Sequence, residues 1–133
     1  MYLILSNDDS KTYYSQNNAS HFRVKLGQPL TLDGEWSVGV CEIHLSANAD
    51  LGRLGFHSDI CNGLFSNGIQ TDLLRKINCK TNVHETFPIV YYLHVEKLFI
   101  DTLEFYLTKA DGSIPSLDAN VKLECTLHFR KHV

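Results

Sequence analysis

At 133 residues and 15.1 kDa, with 44% apolar and 20% charged residues, the chain is sized for one domain, spanning 1–133, that buries roughly two-thirds of its unfolded surface. That composition excludes intrinsic disorder, collagen-like repeats and a coiled coil. A net charge of -3, with no Lys/Arg run longer than a pair such as Arg130-Lys131, excludes the basic face of a general nucleic-acid binder.

Residues 2–5 form a short apolar run suited to a strand that is paired at once. The start lacks a basic segment and a full apolar stretch, so no signal peptide is expected, and no apolar run nears the about 20 residues that cross a bilayer. Residues 6–20 are polar and rich in Asn and Ser, a loop that carries Tyr13 and Tyr14; its Asn18-Ala19-Ser20 sequon is idle without a secretory route. Residues 21–26 alternate, with Phe22, Val24 and Leu26 on one face and Arg23 and Lys25 on the other, which is the period of a half-buried strand. Gly27-Gln28-Pro29 ends it, because proline cannot donate to a central ladder.

Asp33-Gly34 is a tight-turn signal, and it launches Trp36, Val38 and Val40 on one face. After Val40 the apolar positions slip by one, to Cys41, Ile43 and Leu45. Such a phase flip predicts a bulge or a strand passing between sheets. It leaves Glu42 and His44 on the solvated side, with Trp36 a core anchor. Residues 46–66 lose periodicity and read as loops with one or two short strands. Ile69, Leu73, Leu74 and Ile77 share one helical face behind Thr71-Asp72, which predicts a short helix over residues 69–77. Residues 86–95 read as a strand with Pro88 near its start. Ile89, Tyr91, Leu93 and Val95 oppose Val90, Tyr92 and His94, so this strand is expected to be buried on both sides or to meet another subunit.

The last third alternates most cleanly. Leu103, Phe105 and Leu107 are followed by a turn at residues 109–112, and then by Val121, Leu123, Cys125, Leu127 and Phe129 against Lys122, Glu124, Thr126, His128 and Arg130. Cys125 thereby occupies a core position as a small hydrophobe. Seven or eight short strands and one helix predict an all-β fold, a single jelly-roll sandwich of about eight antiparallel strands.

Chemistry finds little support in the residues. Cys41, Cys61, Cys79 and Cys125 show no CxxC pairing and read as reduced thiols of a cytosolic or nuclear protein. The seven histidines form no HxH or HExxH. A metal site would need Glu42, His94 and His128 to converge in space. No GxSxG elbow or phosphate loop occurs. The Asp8-Asp9 and Asp50/Asp59 groups lack the spacing of an EF-hand and read as loop solvation. Tyr13/Tyr14 and Tyr91/Tyr92 read as a sugar platform or a subunit contact, since tyrosine suits interfaces, and core packing explains the second pair at least as well.

The N-terminal arrangement MYLILSNDDSKTYY, a polar loop and HFRVKLGQPLTLDGEWSVGVCEI resembles the opening of the small jelly-roll capsid proteins of Polinton (Maverick) elements and adintoviruses. The C-terminal FIDTLEFYLTKADGSIPSLDANVKLECTLHFRKHV is similar to that family's closing strands, and IQTDLLRKIN resembles its short helix. The resemblance implies a penton-type minor capsid protein, a non-enzymatic jelly roll set in five copies at each vertex of an icosahedral shell of double jelly-roll trimers. Its partners would be other copies of itself and the major capsid protein. It would be made in the host cytoplasm without a signal peptide and reside in the virion, with assembly in the nucleus open. It implies no cofactor, small-molecule substrate or specific nucleic acid. The chain lacks the large receptor-binding insertion of adenovirus penton base, so no receptor role carries over. Subunit contacts are expected at Tyr13, Tyr14, Tyr91 and Tyr92. The alternatives left by the residues are a β-sandwich binding module, with its ligand among the loops of residues 47–66, and a metal-dependent jelly-roll enzyme.

Overall fold

The computed structural model describes residues 1–61, 63–66 and 68–132. Among these the strands in chain order are β1 (Tyr2–Ser6), β2 (His21–Thr31), β3 (Trp36–Leu45), β4 (Gly52–Ser58), β5 (Phe65–Ser66), β6 (Ile69–Gln70), β7 (Leu73–Cys79), β8 (Val83–Thr86), β9 (Leu93–His94), β10 (Phe99–Thr108) and β11 (Leu123–Lys131), and none of the described residues is helical. One sheet runs β1-β11-β3-β8, with β9 also on β3, and the other runs β2-β10-β4-β7. All the pairings are antiparallel. Strands consecutive in sequence mostly fall in different sheets, and that interleaving is the jelly roll. β5 and β6 form a separate small hairpin.

The core lies between the sheets and follows the alternation. Leu123, Cys125, Leu127 and Phe129 point inward from β11, and Leu103, Phe105 and Leu107 from β10. Phe105 stacks on Phe22 of β2 and Phe56 of β4, with ring centroids 5.2 Å and 5.4 Å away. The phase flip in β3 is a bulge. Thr126 of β11 pairs with Glu42 and Leu127 with Val40, so Cys41 is the extra residue. Val38 and Val40 face the core before it, Ile43 and Leu45 after it.

Four expectations are corrected. The helix over residues 69–77 is strand: β6, then β7, which pairs with β4 along Gly52–His57. Its Leu73-Leu74 doublet marks a second bulge, because Phe56 pairs with Arg75 and His57 with Leu73. Two adjacent buried leucines break a period of two and imitate a helical face. The strand over residues 86–95 does not form as one piece. β8 leaves β3 after Thr86, and the chain returns as β9 to pair with Ser37 and Val38, while 87–92 cross outside the sheet. β2 does not end at Gly27. Its register shifts between Lys25 and Leu30 and then resumes against Phe99 and Ile100, which Pro29 tolerates because β2 is an edge strand. Trp36 is half-buried rather than a core anchor, its indole Nε1 donating to the Asp33 carbonyl at 2.9 Å.

The polar loop 7–20 is also less solvated than its composition suggests. Asn7 is fully buried. Its amide donates to the Val121 carbonyl at 3.2 Å, and its oxygen accepts from the Leu123 N–H at 2.7 Å. Asn17 does the same for both backbone groups of Arg23. Each side chain takes the place of a neighbouring strand for backbone that must be paired.

Candidate assembly surface

An antiparallel sandwich gathers its connections at two ends. Segments 7–20, 46–51, 80–82 and 109–122 lie towards one end, and 32–35, 59–61 and 87–98 towards the other. The two tyrosine pairs named from sequence therefore lie at opposite ends of the molecule. At the first end, Tyr13 is 66% exposed with the Lys25 ammonium 5.0 Å from its ring, and half-buried Tyr14 packs beside it at 6.5 Å.

At the second end the Arg75 guanidinium is clamped between the rings of Phe87 at 4.0 Å and Tyr91 at 3.8 Å, and it donates to the Ile89 carbonyl at 2.7 Å. This fixes the crossing segment against β7. Tyr92 turns the other way: its hydroxyl lies 2.8 Å from His128 Nδ1, with the Arg130 guanidinium 3.6 Å over its ring. Tyr91 faces solvent, and half-buried Tyr92 is held to β11.

Phe65, Ile69, Ile89 and Leu98 are likewise more than half exposed, and Phe65 shares a cavity with Tyr91. A groove of about 430 Å³ between Phe65 and Tyr91 is floored by Leu64, Phe87 and Arg75. Sequence reasoning missed Phe65, Ile69 and Leu98. For Phe65 and Leu98 the signal was a large apolar residue in a stretch without a strand period, and Ile69 was hidden by its place on the expected helical face.

Glu42 and His44 lie on the outer face of the first sheet. His44 Nε2 is 2.9 Å from the Glu42 carboxylate, and its ring centroid is 4.0 Å from that of His84 on β8. The hydrogen bond to His44 holds the Glu42 carboxyl below its ordinary range. Glu42, His94 and His128 do not converge: β9 and β11 pair with opposite sides of β3, and His128 is occupied by Tyr92. Among the described residues no group of three or more His, Cys, Asp and Glu side chains could hold a metal ion. The loop acids are used within the fold: Asp8 pairs with Lys11, Asp9 caps the Ser6 N–H, Asp50 accepts from Gly52, and Asp59 joins Lys97 to the Glu104 N–H. All four cysteines are free thiols, and burial pushes the Cys61 thiol up to about 12.

No protein-family model and no curated protein matches the chain. Among solved structures it is similar to the VP2 subviral particle of infectious bursal disease virus at 14% identity and a TM-score of 0.30, over 99% of this chain and 32% of that one. A structure of the Gx strain of that virus gives 12% identity and a TM-score of 0.31, over 99% and 32%. The T13 particle of the virus gives 13% and 0.28, over 98% and 31%. The chain thus spans about a third of the length of those proteins. The architecture stands on the strand order itself.

The outer face of the second sheet carries the other polar cluster. His21 Nε2 sits 2.7 Å from the Glu104 carboxylate, with Arg23 Nε at 3.3 Å. The hydrogen bond from His21, helped by the charge of Arg23, keeps Glu104 below its ordinary value of 4.5. A carboxyl with a depressed folded pKa stabilises the fold above its unfolded value and loses that contribution as pH falls through the folded one. Replacing Glu104 by Gln is therefore expected to flatten the fall in stability below pH 4.5. Urea midpoints measured at neutral pH and at successively lower pH check this, and the difference should stay under about 1 kcal/mol because the pair is near solvent.

Proposed function

We propose that the chain is a structural capsid subunit, a penton-type jelly roll that forms the five-fold vertex of an icosahedral shell and meets the major capsid protein around its rim. It works in the virion as a shape and without catalysis. The observation that carries this reading is the exposure of large apolar side chains on the connections of the sandwich, with Phe65 and Tyr91 facing one groove. Exposed apolar groups grouped in this way mark a contact surface. A ring of five needs two different faces per subunit, because its contacts are heterologous. Tyr91 with this groove supplies one face, and the Tyr13/Tyr14 loop at the other end supplies part of the second. The family resemblance of both terminal segments agrees with that arrangement.

The test is the mass of the purified chain in solution, by native mass spectrometry over a range of concentration and salt, alone and with the major capsid protein. A five-fold species that Tyr91→Asp and Tyr13→Asp each dissociate, without lowering the unfolding midpoint, supports the vertex role. A stable trimer, or a monomer under every condition including the major capsid protein, overturns it.

A further inference from the structure

We propose that the outer face of the second sheet holds a binding pocket for a small multiply charged oxyanion, a phosphate group, over Gly55. Nothing in the capsid reading requires it. The pocket of about 280 Å³ is lined by Arg53, Gly55 and His57 of β4, Lys76 of β7, and Thr108 and Lys109 at the end of β10. Its floor is a consequence of sheet register. Gly55 pairs with Thr108 on one side and Lys76 on the other, so these two side chains rise from the same face and flank a position that has none. Arg53 and His57, two residues either way along β4, project on that face as well.

Gly55 is what lets His57 and Thr108 meet across the strand to form the pocket's wall. A Cβ there would stand 2.9 Å from both His57 Nε2 and Thr108 Oγ1. The wall beside it is rigid. Asp72 Oδ1 lies 2.8 Å from His57 Nδ1, His57 Nε2 lies 2.9 Å from Thr108 Oγ1, and the Tyr106 hydroxyl donates to the other Asp72 oxygen at 2.6 Å. The Tyr106 and His57 rings stack at 4.5 Å and 5°. The nearby carboxylates are thus already engaged, Asp72 in this chain and Asp111 with the Ser113 N–H and hydroxyl. Arg53, Lys76 and Lys109, by contrast, make no salt bridge among the described residues, although the Lys109 charge helps hold the Asp111 carboxyl low. Three cations around one cavity, on a chain whose net charge is -3, concentrate positive potential where an anion can sit. The volume suits a phosphate group and leaves any larger body it belongs to in solvent.

The experiment is a titration of the full-length chain with inorganic phosphate, pyrophosphate and a nucleoside monophosphate, at constant ionic strength, followed by backbone amide shifts. Saturable shifts confined to Gly55, Lys76, Thr108 and Lys109 are expected. Lys76→Gln and Lys109→Gln, both on exposed side chains, should each weaken binding about tenfold, the worth of one charge-assisted hydrogen bond. Equal affinity for phosphate and the monophosphate identifies the free ion as sufficient, and tighter binding of the monophosphate identifies a phosphate head group; either supports the pocket. Shifts that do not saturate, that spread over the surface, or that persist unchanged in both lysine variants overturn it.

Discussion

Replacing Phe105 by Ala is expected to remove about 3–5 kcal/mol of stability, a large part of the 5–15 kcal/mol that a domain of this kind holds. Phe105 is wholly buried in the centre of β10, and β10 is itself flanked by β2 and β4. Its ring is the middle of a three-ring stack with Phe22 and Phe56. Deletion leaves a cavity walled by two strands whose ladders resist closing over it, so little of the loss is recovered by relaxation. Urea unfolding checks this through a much lower midpoint at an unchanged slope. Tyr2→Ala, on the exposed outer face of β1, serves as the control and should stay within about 0.5 kcal/mol. A Phe105→Ala loss no greater than the control's would mean that the second sheet is not packed as described.

The same stack explains why much of the fold was legible in the sequence. Phe22, Phe105 and the run from Leu123 to Phe129 sit on strands that have one face in the core and one in solvent, and a period of two reports that situation directly. The bulge at Cys41 was legible for the same reason, since an inserted residue flips every inward position after it. Legibility failed where a second influence overlaid the period. In β7 the bulge at Leu74 placed two buried leucines side by side, and the Leu64 N–H ahead of β5 bonds the Leu73 carbonyl. The four apolar positions then fitted a helix as well as a strand.

The candidate sites were less legible because their positions come from pairing between distant segments. Nothing in the spacing of Asp72, His57, Tyr106 and Thr108 announces that register brings β4, β10 and the residue ahead of β7 together. Asn7 and Asn17 look like loop solvation until their backbone partners at Val121, Leu123 and Arg23 are known. The tyrosine doublets were readable as notable residues. That they occupy opposite ends of the sandwich was not, since this depends on which connections share an end.

Replacing Gly39 by Ala is expected to lift the crossing segment 87–92 off the first sheet at a cost of about 1–3 kcal/mol. Gly39 lies on the outer face of β3 opposite His128, and a Cβ there would meet the Val90 side chain and stand 2.8 Å from the Tyr91 carbonyl oxygen. Backbone and a branched side chain cannot step aside as the end of a lysine can, so the segment itself must move. Its two anchors, the Phe87 N–H on the Cys41 carbonyl and the Val95 N–H on that of Trp36, flank the collision. They let the middle bow outward while the ends stay paired. Tyr92 then leaves His128. Burial, together with the charges of the N-terminus and Arg130, holds His128 below its ordinary value of 6.5, so exposure should move its titration upward, which proton NMR of the ring reads directly. The stack around Phe105 is on the other sheet and should keep its protection from hydrogen exchange. If the groove carrying Tyr91 is a ring contact, Gly39→Ala removes the five-fold species from a chain that is still folded, whereas Phe105→Ala removes it by weakening the fold. Loss of assembly with an unmoved His128 titration would separate the two effects and place the contact away from segment 87–92.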